Sequence, residues 1–319
     1  MAAALAAAAT WGQGAAQAGE VRVMPDRPDL TDSPETVPRG LAQLETGVTF
    51  LRDAAGDRPV RRLTTGGLLR LGVAETLEFR LGADLFVRER GEGTGTSGVG
   101  DTTVGAKWHL GDDEGWRPAL AVLPFVKLPT ASRGKGLGSG RVDFGGVLAL
   151  GKDLPADWHV DLNFGLTGVS LSEPPGGLFL QKVATASFSW ALTDRVVPYW
   201  EIFYVSRDSP TAQQSVGTDF GVVVTVHRRV AIDVAAGFRL AGASPDWVVT
   251  GGLTVLLGPL PDGDAGSAGR RAPPRATALA RTPRDIDAGR ASGNPPVDRD
   301  AAVGVTASQV GVSGAGGWP

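Results

Sequence analysis

Three histidines, three closely spaced aspartates and one glycine-rich hexapeptide are the residues here whose types and spacing could do chemistry. His109, His159 and His227 could move protons or bind a metal, but they fall in three separate strand-like segments, several strands apart. All three lie near short-turn ends on the polar parity, so they are expected to be solvated rim histidines. Asp26, Asp29 and Asp32 could recruit a cation, although turn or helix capping beside proline is the commoner use of such residues. "GTGTSG", Gly93 to Gly98, matches the spacing of a dinucleotide loop, but it follows a charged strand end and no helix opens after it. A flexible loop is expected there. No serine stands in a G-x-S-x-G setting, and a cysteine count of 0 removes thiol catalysis, disulfides and cysteine-based zinc sites. No catalytic residue, metal site or cofactor is assigned, and the chain is not expected to be an enzyme.

The remaining residues describe a scaffold. Gly 46 and Pro 22 in 319 residues point to an all-β protein with many turns. Charged residues at 20% and a mean hydropathy near zero, with no apolar run of about 18 residues beyond the extreme N-terminus, exclude a helical membrane protein. A net charge of -3 gives no basic footprint for nucleic acid. The opening "MAAALAAAATWGQGAAQAGE" reads as a secretory signal peptide over residues 1–18, with Ala16-Gln17-Ala18 as its cleavage site; an alanine-rich helix is the alternative.

Strand-like segments, twelve in all, run at about 41–52, 60–72, 77–88, 99–110, 117–128, 141–152, 158–169, 178–192, 195–206, 217–227, 229–240 and 246–257. Each matches or slightly exceeds the roughly 9 to 11 residues that a tilted strand needs to cross a bilayer. Short connections such as "VAET", "DLPAD", "TDR" and "RR" alternate with long ones such as "PTASRGKGLGSG" and "DSPTAQQSV", as in outer-membrane barrels with short periplasmic turns and longer external loops. In "WHVDLNFGLTGV", Trp158 to Val169, apolar and polar residues alternate strictly. Turning the apolar parity outward to lipid places Arg62, Arg70, Glu78, Arg80, Asp84, Lys107, Asp143, Asp161, Glu201, Asp219, Asp233 and Arg239 on the inner face as candidate lumen-lining groups. Trp108, Trp116, Trp158, Trp190 and Trp200 fall near short-turn ends, where an aromatic girdle would sit.

The expected architecture is a transmembrane antiparallel up-and-down β-barrel of about 12 strands over residues 41–257. Residues 19–40, broken by Pro25, Pro28, Pro34 and Pro38, form an irregular periplasmic leader or lumen plug. Residues 258–319, rich in Ala, Gly, Pro and Arg without periodicity, are expected to be a disordered tail. The expected partners are outer-membrane lipid and a small solute; nothing fixes an oligomeric state.

"DRPDLTDSPETVPRGLAQLETGVTF", then "GVGDTTVGAKWHL" and a closing "DWVVTGGLTVLL", resemble the bacterial outer-membrane transporter family of the phenol-degradation meta-pathway type. The likeness spans roughly Pro25 to Leu257 and implies an outer-membrane barrel passing small, often hydrophobic or aromatic, compounds. A terminal aromatic residue, which such barrels carry at the end of the last strand, is replaced here by Leu256 and Leu257. A closed structural barrel and a secreted β-sandwich binding module are the alternative readings.

Overall fold

The computed structural model describes residues 21–54, 59–91, 95–171 and 176–259. The expected signal peptide, and all but the first two residues of the expected tail, lie outside these. Strands follow one another as β1 (Ala42–Asp53), β2 (Val60–Ala74), β3 (Leu77–Arg90), β4 (Gly95–Gly98), β5 (Thr102–Gly111), β6 (Ala119–Leu128), β7 (Asp143–Leu154), β8 (Trp158–Ser170), β9 (Leu178–Trp190), β10 (Val196–Val205), β11 (Ser215–His227), β12 (Val230–Gly242) and β13 (Trp247–Leu257). Twelve of them form a ring in which each pairs antiparallel with its neighbours, and β13 returns to β1 from Ala42 opposite Leu257 to Arg52 opposite Trp247. Closure leaves the ring no free strand edge, the condition for a sheet to stand in hydrocarbon.

The thirteenth strand corrects the flexible-loop expectation at "GTGTSG". β3 runs on past its neighbour β5, and its free end from Val87 to Arg90 takes up Gly95–Gly98 as a short antiparallel extension. Glycines scored as breakers here pair because β3 offers unfilled backbone groups. Elsewhere the breakers mark real irregularities. Pro124, which cannot donate a ladder hydrogen bond, sits where the β5–β6 pairing lapses between Gly105–Phe125 and Trp108–Val122, with the register kept. Ala156 and Asp157, both at φ 62°, turn the chain in three residues between Leu154 and its partner Trp158.

Alternation sorts the side chains. Val48, Leu81, Phe164, Leu166, Phe220, Val234 and Phe238 are exposed on the outer face, while charged and hydroxyl groups on the other parity are buried. At the short-turn end Trp158 stacks on Trp190 with centroids 6.0 Å apart, and Trp200 lies between Phe188 and Phe220 at 5.6 and 6.4 Å. Exposed aromatic rows bounding an apolar band are the exterior of a barrel built for lipid.

Candidate functional site

Inside the ring lies the leader. Residues 21–40 contain no strand or helix, yet Asp26, Arg27, Thr31 and Asp32 are almost fully buried. A segment without regular structure must find partners for its backbone groups elsewhere, and here wall side chains supply them. Gln43 accepts from the Met24 N–H at 3.1 Å and donates to the Met24 carbonyl at 2.7 Å. Glu45 accepts from the Asp26 N–H, and Glu201 accepts from the Leu30 N–H at 2.9 Å. Asn163 brackets Asp32, accepting from its N–H and donating to its carbonyl, both at 2.8 Å. Glu78 accepts from the Val37 N–H at 2.8 Å, and Arg70 and Lys107 donate to the Glu35 carbonyl.

The charged side chains divide between two walls. On β2, β3 and β5, Arg70, Arg80 and Lys107 converge on one carboxylate oxygen of Asp26, at 3.0, 2.6 and 2.7 Å. Glu45 and Glu78 complete the cluster around Arg70, and Asp32 takes the other arm of Arg80 at 2.9 Å. Burial alone raises a carboxyl, but Arg70, Lys107 and Arg80 outweigh it and hold Asp26 well below the usual carboxylate range. Burial dominates at Asp32, which is pushed up to about 6 against the pull of Arg80. Across the barrel stand Asp161 on β8, Glu201 on β10 and Asp219 on β11, with Glu201 and Asp219 directly opposite in register. β3 and β10 are six places apart in the ring of twelve, so a cationic wall faces an acidic one. Thr31 meets Glu201 and lies 2.6 Å from the Thr185 hydroxyl. Arg27 reaches Asp233 at 3.1 Å and Thr250 at 3.1 Å, lying over Gly47 and Gly252, where any Cβ would occupy its place.

Of the other sequence-derived positions, Asp143 pairs with Lys127 at 2.6 Å, and Arg62 lies 3.9 Å from Glu89. Asp84 is buried on β3, and Arg239 joins Asp53 and Asp246 near the long-loop end. Two expectations need correction. Asp26 and Asp32, read as turn or helix caps, are buried counter-charges for the wall, brought by the leader against Arg70, Arg80 and Lys107. His109 is not solvated, with its side chain 11% exposed, since the leader carbonyl of Pro34 covers its Nδ1 at 3.0 Å. His159 bridges Asp153 and Asp161 at 2.7 and 3.2 Å, and His227 is exposed. No metal-binding group of three or more acidic or histidine residues occurs among the described residues.

Sequence parity missed an apolar zone on the inner face. Leu30 at the leader's apex packs with Leu51, Leu123, Phe125, Val147, Val183, Phe203, Val205 and Val248 on the long-loop side of the charged cluster. β6, "ALAVLPFVKL", is apolar on both faces, so alternation there carries no inside-or-outside signal.

A family model described as "Putative MetA-pathway of phenol degradation" matches residues 25–257. Among solved structures, an outer membrane channel from Pseudomonas putida F1 is similar at TM-score 0.59 and 15% identity, covering 73% of this chain and all (100%) of that one. The NanC porin aligns at TM-score 0.43 and 8% identity, over 67% of this chain and 98% of its own. The translocator domain of the autotransporter NalP from Neisseria meningitidis aligns at 0.42 and 12%, over 67% and 86%. No curated protein matches the chain. The first of these likenesses shows the fold.

Proposed function

The chain belongs to this phenol-degradation family, and from that premise we propose that it is a passive outer-membrane channel for small solutes whose opening is set by its leader. The observation that carries the reading is the way the leader is held. Much of its backbone is bonded by side chains of β1, β3, β8 and β10. Such a bond is worth about 1 kcal/mol net, and about 1.5 to 3 kcal/mol where the partner is charged; the ring itself closes without the leader, which is its occupant and not one of its strands. Twelve strands stand between the eight that their own side chains fill and the sixteen that leave an aqueous channel. The twelve charged positions named from the sequence would screen solutes by size and polarity with no single ion sign favoured. The apolar zone around Phe125 and Phe203 supports a solute with an apolar or aromatic body. The named relative from Pseudomonas putida is itself described as an outer membrane channel, which agrees with this reading.

The test is reconstitution of the full chain, and of a form lacking residues 19–40, into planar bilayers and liposomes. The leaderless barrel should conduct and take up small aromatic solutes faster than the full chain. Lack of both conductance and uptake in the folded leaderless form would leave a closed structural barrel.

A further inference from the structure

A second feature of the molecule faces away from the lumen. At the long-loop end of β1, β2 and β3, four arginines stand on the outer parity: Arg52, Arg61, Arg88 and Arg90, all exposed. Register makes three of them neighbours in one row, with Arg52 opposite Arg61 and Arg61 opposite Arg90; Arg88 stands opposite Leu63. Like charges placed directly opposite on adjacent strands are destabilising. Among the described residues, the nearby acids Asp53 and Glu89 are engaged elsewhere, Asp53 by Arg239 and Glu89 by Arg62. Among the described residues none of the four arginines has a carboxylate within ion-pair distance. Arg61, Arg88 and Arg90, with Phe50 and Leu63, line an external groove of about 240 Å³. Its depth in the membrane follows from strand length. Arg61 to Val73 spans twelve residue steps of β2, about 40 Å of strand and about 30 Å along the normal at the usual tilt. The arginines therefore lie one bilayer thickness from the short-turn rim, directly above apolar side chains such as Leu81, Leu85 and Phe86.

We propose that this groove binds the phosphorylated headgroup of an acylated lipid in the outer leaflet, the arginines taking the phosphate and Phe50, Leu63 and Phe86 the first segment of acyl chain. Guanidinium groups match phosphate oxygens bidentately, and clustered arginines at headgroup height each add about 1 kcal/mol of attraction. A free anion would satisfy the charge but not the continuous apolar strip below it. The inference rests on the long loops facing outward and is independent of whether the lumen conducts.

The test uses the full chain, folded in detergent and examined by native mass spectrometry with three probes: a bisphosphorylated lipid A, its dephosphorylated form and inorganic phosphate. Retention of the phosphorylated lipid at least about tenfold above the dephosphorylated one is expected, with a comparable loss in the fourfold variant Arg52→Gln, Arg61→Gln, Arg88→Gln, Arg90→Gln. Heat-modifiable gel migration certifies folding; if the fourfold variant lacks it, the pair Arg61→Gln with Arg88→Gln takes its place. Equal retention of both lipids, or unchanged retention in the folded variant, would overturn the proposal. Displacement of the lipid by millimolar phosphate would overturn the lipid assignment, and unchanged conductance of the variant separates this site from the pore.

Discussion

Asp26→Asn should loosen the leader more than any other single charge removal. One carboxylate oxygen of Asp26 meets Arg70, Arg80 and Lys107 at 3.0, 2.6 and 2.7 Å, all with side chains at most 5% exposed. Arg70 keeps Glu45 and Glu78, and Arg80 keeps Asp32 and Glu78. Lys107 keeps only the carbonyl of Glu35 at 3.1 Å among its close hydrogen-bond partners. Leaving a buried charge without its counter-charge costs about 3 to 5 kcal/mol, and about 3 kcal/mol raises the ratio of displaced to seated leader by about two orders of magnitude. Hydrogen exchange reads that ratio. The amides of Asp26, Leu30, Asp32 and Val37 should exchange about a hundredfold faster in the variant, and its conductance should move towards that of the leaderless barrel. Adding Lys107→Gln removes the stranded ammonium and should restore part of the protection. Wild-type exchange at these amides in folded Asp26→Asn would refute the reasoning.

Three further outcomes follow from the same geometry. A Cβ on Gly72 would run into the backbone carbonyls of Val37 and Pro38, whereas one on Gly111 meets nothing within 4 Å. Gly72→Ala should therefore unseat the leader's exit by about 1 to 3 kcal/mol, seen as faster exchange at Val37, with Gly111→Ala silent. Asp32 has its carboxyl raised from 3.8 to about 6, so the seated state binds the extra proton between those values and loses stability as pH rises through them. Leader protection should thus be greater at pH 4 than at pH 7.5, and Asp32→Asn should flatten this step; an unchanged profile in that variant would contradict it. Val48, exposed in the middle of β1, faces lipid. Val48→Arg should cost about 2 to 4 kcal/mol in urea unfolding from vesicles, and a cost near zero would mean that this face meets water.

Much of the architecture was legible because it rests on a period of two. Strands such as β8, alternating from Trp158 to Val169, fix both length and face, and the short turns are marked by their own residues. β4 was not legible: Gly95–Gly98 has Thr96 as its one strand former between glycines, and its pairing depends on how far β3 outruns β5. The charged inner positions could be named from parity, but not their partners, because Asp26 lies 44 residues before Arg70 in a segment with no periodicity and meets it inside the ring. The same holds for Gln43, Glu45 and Asn163, which sequence alone leaves as unremarkable polar strand residues; their role is to bond a backbone that passes through the lumen. The apolar inner zone was hidden by strands such as β6 that are apolar on both faces.

The proposed control of the opening by the leader can be tested within a single molecule. The chain has 0 cysteines, and the hydroxyls of Thr31 on the leader and Thr185 on β9 lie 2.6 Å apart, so Thr31→Cys with Thr185→Cys places two thiols at the one junction without background. In planar bilayers the oxidised, tethered form should show no openings, and reduction of the same channels should restore openings at the frequency of the untethered chain. Identical conductance before and after reduction, with the disulfide verified by mass, would contradict the claim that the leader governs passage.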